Sequence, residues 1–173
     1  TIPATDGFRI EVHQSDIVIP GLPPAYVELG FKTATRTNVK GRNEVELEVD
    51  PGDRLIAALA LCQDNTVYSD ALYSRVEMAM NGVRDVIDLD AKSLQRMNLA
   101  DYGIRDGDGI TGAYIFDLME RAGGSFRDIP PIAWAGGAPR LTFDTGSTAV
   151  TATSKVDILY VIGRITPEGL AAG

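Results

Sequence analysis

The sequence predicts an all-β fold, a sandwich of about eight or nine antiparallel strands interrupted by one short helix. Alternation at period two is the first sign. It is cleanest in Glu44-Val45-Glu46-Leu47-Glu48-Val49, where the carboxylates fall on one face of a strand and the aliphatics on the other. The second sign is punctuation: Pro-Gly, Asn-Gly and Asp-Gly pairs separate the alternating stretches at short intervals. The third is the scarcity of helix signals, since only Ala91 to Leu99 combines helical spacing with a capping residue before it and a glycine after it.

Taken in chain order, Phe8-Arg9-Ile10-Glu11-Val12 alternates, and Ala25 to Phe31 keeps Val27, Leu29 and Phe31 in phase. Both read as half-buried strands. Glu44 to Val49 ends at a Pro51-Gly52-Asp53 turn, and Arg54 to Cys62 is apolar on both faces, as suits the middle of a sandwich or a subunit contact. Leu72 to Met80 runs into Asn81-Gly82, a pair that tolerates positive φ at both central positions of a type I′ turn, so Val83 to Leu89 should return antiparallel to it. Asp90 can cap the helix, Leu94 and Met97 supply an apolar stripe, and Gly103 can end it after Asp101-Tyr102. Asp106-Gly107-Asp108-Gly109 makes a loop and Ala113 to Leu118 a strand. Gly123-Gly124 through Pro130-Pro131 to Gly136-Gly137 forms a long ordered excursion of the kind that serves contacts. Arg140 to Asp144, a hairpin turn at Thr145-Gly146, Thr148 to Thr153 and Val156 to Ile165 close the series.

A chain of 173 residues fits one domain, 1–173, with a core of ordinary size. Residues 1–20 form an N-terminal arm or an extra strand. The first residues, Thr1-Ile2-Pro3, open no secretory signal and suggest a removed initiator Met. Hydrophobic residues at 45% and charged ones at 23% match a folded globular protein. The longest apolar run, Leu55 to Cys62, is far shorter than the ~20 residues of a membrane-spanning helix. A net charge of −8 repels phosphate and argues against direct nucleic-acid binding. The single cysteine, Cys62, sits among apolar neighbours and reads as a buried thiol.

Leu141-Thr142-Phe143-Asp144-Thr145-Gly146 looks like the catalytic loop of an aspartic protease. That chemistry needs a carboxylate pair sharing a proton, so one Asp-Thr-Gly would require a homodimer. The second apolar-Gly element, Val161-Ile162-Gly163-Arg164, follows too soon to leave room for a flap, and Asp144 reads as a turn residue. Asp106 and Asp108 alternate as cation ligands do, but Ile115 stands where a calcium loop needs a bidentate Glu; incidental cation binding is all they offer. His13, the sole histidine, rules out a zinc cluster built on several imidazoles and reads as a strand-end residue. No catalytic, cofactor or metal site is expected. Trp134, within the Pro/Gly excursion, either anchors a partner or lids the barrel's own end.

The arrangement resembles the viral single jelly-roll coat proteins, especially the small major capsid protein of tailless icosahedral double-stranded DNA phages with an internal membrane, the Thermus phage type. The carriers are Val76-Glu77-Met78-Ala79-Met80-Asn81-Gly82, the helix at Ala91 to Leu99, the Asp/Gly loop into Ala113-Tyr114-Ile115-Phe116-Asp117-Leu118, and Leu141-Thr142-Phe143 with Val156 to Ile165. The resemblance implies a single jelly roll acting as a capsid subunit in the virion. It would self-associate, alone or with a second coat protein, around an internal membrane, without cofactor, enzymatic activity or direct nucleic-acid contact. The Pro/Gly excursion then supplies the candidate subunit-contact residues Phe126, Ile129, Ile132 and Trp134. The alternative is a carbohydrate-binding β-sandwich or phage spike, with Tyr26, Tyr68, Tyr73, Tyr102 and Trp134 as an aromatic platform.

Overall fold

The structure, a computed structural model, describes residues 25–104, 109–133 and 137–167. The expectations for Phe8 to Val12, the arm at 1–20, His13, Asp106, Asp108 and Trp134 lie outside the described residues. The chain divides into two compact units, Thr1–Val27 with Ile165–Gly173, and Glu28–Arg164. Nearly all the described residues belong to the second.

Nine strands stand among the described residues: β1 (Ala25–Thr37), β2 (Arg42–Glu46), β3 (Arg54–Asp64), β4 (Val67–Tyr68), β5 (Arg75–Met80), β6 (Val83–Asp90), β7 (Ala113–Asp117), β8 (Arg140–Asp144) and β9 (Lys155–Pro167). One sheet runs β1-β9-β3-β4, with β7 beside β3 as well; the other runs β2-β8-β5-β6. Leaving aside the two-residue β4, the first strand pairs with the last, the second with the seventh, the third with the sixth and the fourth with the fifth. This is a long antiparallel hairpin folded over on itself, the jelly-roll topology of two nested Greek keys. The pairings resolved residue by residue are all antiparallel.

Local chemistry explains the sharp turns. Asn81 and Gly82 both take positive φ, +55° and +73°, so the expected hairpin joins β5 to β6. Gly52 at φ +92° carries the turn before β3. Helix α1 (Ala91–Asp101) follows β6 directly; Asp90 accepts from the backbone N–H of Lys92 and Ser93 at 3.0 and 3.1 Å, and Gly103 at φ +64° ends it.

The core lies between the sheets, where alternate residues face inward: Ala58, Ala60 and Cys62 from β3, Val156, Ile158 and Tyr160 from β9, Val76 and Met78 from β5. Each large aliphatic or aromatic side chain so buried contributes about 1.5–3 kcal/mol. Tyr73 packs its ring 5.1 Å from that of Phe143, and Phe116 meets Phe143 edge-on at 6.1 Å. Cys62 is buried as expected, and burial pushes its thiol pKa up to about 12.

At one end a buried polar corner joins the two sheets. Asn43 is fully buried; its Oδ1 accepts from Val39 N–H at 2.7 Å, and its Nδ2 donates to the carbonyls of Val39, Gly41 and Phe143 at 2.8, 3.0 and 3.3 Å. Beside it the Thr145 hydroxyl accepts from Gly41 N–H at 2.8 Å. Asn38 donates to Ser154 Oγ and accepts from the Tyr73 hydroxyl. Every buried polar group here has a partner, which is what makes such a corner rigid.

Several expectations are corrected. Val27, Leu29 and Phe31 alternate as a strand does, but they are 46%, 40% and 48% exposed, because Gly30 and Ala34 take the inward positions of β1. Met97 is exposed while Leu94 is buried, so the helix packs through a narrower stripe. Thr148 to Thr153 is not a strand: β8 and β9 belong to different sheets, and this segment crosses between them, held by Thr151 on the Asp64 carboxylate at 2.7 Å. A second helix, α2 (Leu118–Arg121), starts where strand β7 stops, capped by Asp117, which accepts from Glu120 N–H.

Candidate assembly surfaces

The described part of the excursion up to residue 133 is stitched onto the sandwich. After α2, Gly123 and Gly124 at φ +67° and +79° turn the chain into a short 3-10 turn at Phe126–Asp128. The Phe126 ring lies over Gly163, where a β-carbon would come within 2.4 Å of it, so only glycine at 163 admits the ring. Arg54 sits 5.2 Å from the ring centroid and its Nε donates to Ile129 O at 2.8 Å. Ile132 exchanges backbone hydrogen bonds with the turn before β3, and Asn81 binds Pro131 O and Ala133 N–H through its side-chain amide.

These contacts decide where three of the four candidate contact residues stand. Ile129 and Ile132 are 1% and 3% exposed and Phe126 packs on the core, so the chain itself covers most of their surface. Ile129 and Ile132 thus have little area left for a neighbour.

Asp144 ends β8. Its Oδ1 accepts from Gly146 N–H at 2.7 Å, and Gly146 has φ +56°. The residue shapes a turn as expected, although the turn opens a crossing between sheets and not a hairpin. Among the described residues no three His, Cys, Asp or Glu side chains gather as a metal site. No helix among them is long and apolar enough to cross a membrane. Among the described side chains Tyr68, Tyr73 and Tyr102 do not form a platform: Tyr73 is buried, and Tyr68 and Tyr102 are exposed on separate elements, while the Tyr26 side chain lies outside those described.

The outer faces of the two sheets differ in character, a contrast the sequence did not reveal. On the β2-β8-β5-β6 sheet, Arg42 pairs with Glu44 and Glu77 at 2.9 and 2.8 Å, Arg140 with Glu44 at 3.3 Å, and Arg75 with Glu77 at 3.3 Å and with Asp88. The hydrogen bond from Arg75 holds the Asp88 carboxyl below its ordinary range, and the bond to Glu44 raises the Arg42 guanidinium. This is a mosaic of matched charges that solvates well. On the other sheet the outer positions of β1 and β9 are apolar: Leu29, Phe31 and Leu159 are exposed and Val161 is half-buried. Thr35, which donates to Asp157 at 2.8 Å, marks the polar end of the same face. Large apolar side chains gathered on one face while the opposite face is ion-paired are the usual mark of a surface that another molecule covers.

No family model matches the chain, and no curated protein matches it. Solved structures do. The major capsid protein of bacteriophage PM2 aligns over 84% of this chain at a TM-score of 0.56 and 16% identity, and the STIV major capsid protein over 86% at 0.58 and 19%. The chain spans 46% and 45% of those two proteins, less than half of each. More than four-fifths of this chain therefore shares its fold with two viral major capsid proteins.

Proposed function

We propose that the chain is a structural coat subunit of a virion, one that builds a shell by association with copies of itself, alone or with a second coat protein, around an internal membrane. The observation that supports this best is the fold shared with two major capsid proteins over more than four-fifths of the chain. The apolar outer face of β1 and β9 agrees with it, since a shell subunit needs lateral surfaces that a neighbour completes. Residues Leu29, Phe31 and Leu159 are the contact residues this reading favours.

Sedimentation across a concentration series, with electron microscopy of the concentrated protein, tests the reading. The expected result is concentration-dependent association into regular oligomers or sheets, reduced at least tenfold by Phe31→Ser with Leu159→Thr while the melting temperature of the dilute subunit stays within about 2 °C, as exposed substitutions usually do. A protein that stays monomeric at every concentration, with or without a second coat protein, refutes it.

A further inference from the structure

A groove of about 410 Å³ lies between α1 and the outer side of β3 and β7, within the roughly 300–1,000 Å³ range of small-molecule sites. Its walls are apolar: Leu59, Ile115, Leu99, Ile104 and Ile110. Ile104 and Ile110 stand at its mouth, 40% and 69% exposed. Gly109 lies against Leu99, where a β-carbon would come within 2.8 Å of Cδ2, so the wall there is close-set.

Lys92 and Arg96 stand on the rim, one helical turn apart on α1. Arg42, Arg75, Arg140, Lys155 and Arg164 all pair with carboxylates, but neither rim cation has an ion-pair partner among the described residues. The carboxylate in the groove, Asp70, is already engaged, accepting from Gln95 Nε2 at 2.6 Å and from Gly112 N–H. On a chain of net charge −8, two cations left open beside an apolar trough point to an anionic ligand with an apolar body.

The backbone of β7 along the groove is closed. Asn98 donates to Ile115 O and accepts from Ile115 N–H, both at 2.9 Å, and Gln95 reaches Ala113 O. An added β-strand would need those groups free, so an extended peptide finds no ladder here. An acyl chain needs none. We propose that the groove binds an anionic single-chain amphiphile, its chain along Leu59 and Ile115 and its carboxylate or phosphate at Lys92 and Arg96. The proposal does not depend on the coat role.

The test is a titration of the full chain with a dansyl-labelled long-chain fatty acid below its micelle concentration, followed by displacement with palmitate and with a lysophosphatidylglycerol. Saturable binding is expected, displaced by one or both competitors, and which of them competes identifies the headgroup. Lys92→Glu with Arg96→Glu should weaken binding at least tenfold and Ile110→Asn at least threefold, with unchanged melting curves because all three side chains are exposed. The absence of saturable binding, equal affinity in the charge-reversed variant, or equally tight binding of a neutral monoacylglycerol would each overturn the proposal.

Discussion

Replacing Asn43 by Ala would remove the hub of the polar corner that joins β2 and β8 to the turn after β1. The Asn43 amide, itself fully buried, accepts one backbone N–H and shares two donor hydrogens among three carbonyls. Taking three effective bonds at roughly 0.5–1.5 kcal/mol each, the loss should be about 2–4 kcal/mol. In a chain of this size about 2–4 °C of melting temperature accompanies each kcal/mol, so the melt should fall by about 5–15 °C. Thermal and urea unfolding of Asn43→Ala measure it. Asn43→Asp separates hydrogen bonding from mere volume: the carboxylate still accepts from Val39 but faces three carbonyl oxygens with no proton to give. Its pKa in the folded state must therefore rise above the unfolded value, which makes the variant less stable at neutral pH and lets it recover as pH falls and the acid regains a donor. A loss under about 1 kcal/mol in the Ala variant, or an Asp variant with the pH dependence of the wild type, would refute the account of this corner.

Three further outcomes are expected. Gly82→Val forces a β-branched residue to φ +73° beside Asn81, whose side chain also anchors Pro131 and Ala133, and should destabilise by about 1–3 kcal/mol in a melt. The buried Tyr114 hydroxyl has no hydrogen-bond partner among the described residues, and burial raises its pKa; Tyr114→Phe should therefore raise stability by about 1 kcal/mol, and a fall would mean that the hydroxyl has one. Asp88 and Asp157 both have folded-state pKa values below the ordinary one. Arg75 is the cause for Asp88, while for Asp157 burial acts upward and the hydrogen bonds from Lys155 and Thr35 outweigh it. The stability they contribute is present above a carboxylate value of about 3.9 and is lost as pH falls through the lower folded values. Melting in acid, with and without salt, should show that loss, and Asp88→Asn should flatten it.

Turns and caps were legible because their chemistry is local. Asn81-Gly82 and Asp90 act through their own backbone neighbourhood, so their roles follow from residue type alone. Strand alternation was legible too, yet it says only that a strand has two faces, never which one is dry. Val27, Leu29 and Phe31 show the limit: the phase was right and the exposure was not, since inward places on β1 go to Gly30, which lies close against the Ile162 side chain, and to Ala34. Thr148 to Thr153 has strand-like β-branched residues, but its hydrogen bonds are set by a crossing between sheets that no local pattern encodes. The role of Asn43 escaped notice for the same reason, because three of its partners become neighbours only when the turn after β1 closes and the fourth, Phe143, lies a hundred positions along the chain.

The nesting of first strand with last also sets a schedule for synthesis. Leu59 pairs with Leu159, and β9 lies between β1 and β3 in the finished sheet. Until β9 has left the ribosome, β3 lacks its partner along that edge and β1 lacks the strand it joins among the described residues, so the most apolar of the described strands waits with an open row of amides and carbonyls. The nascent chain is thus at its most adhesive just before β9 emerges. Ribosome-bound chains stopped short of Lys155 are where a holding chaperone would be found.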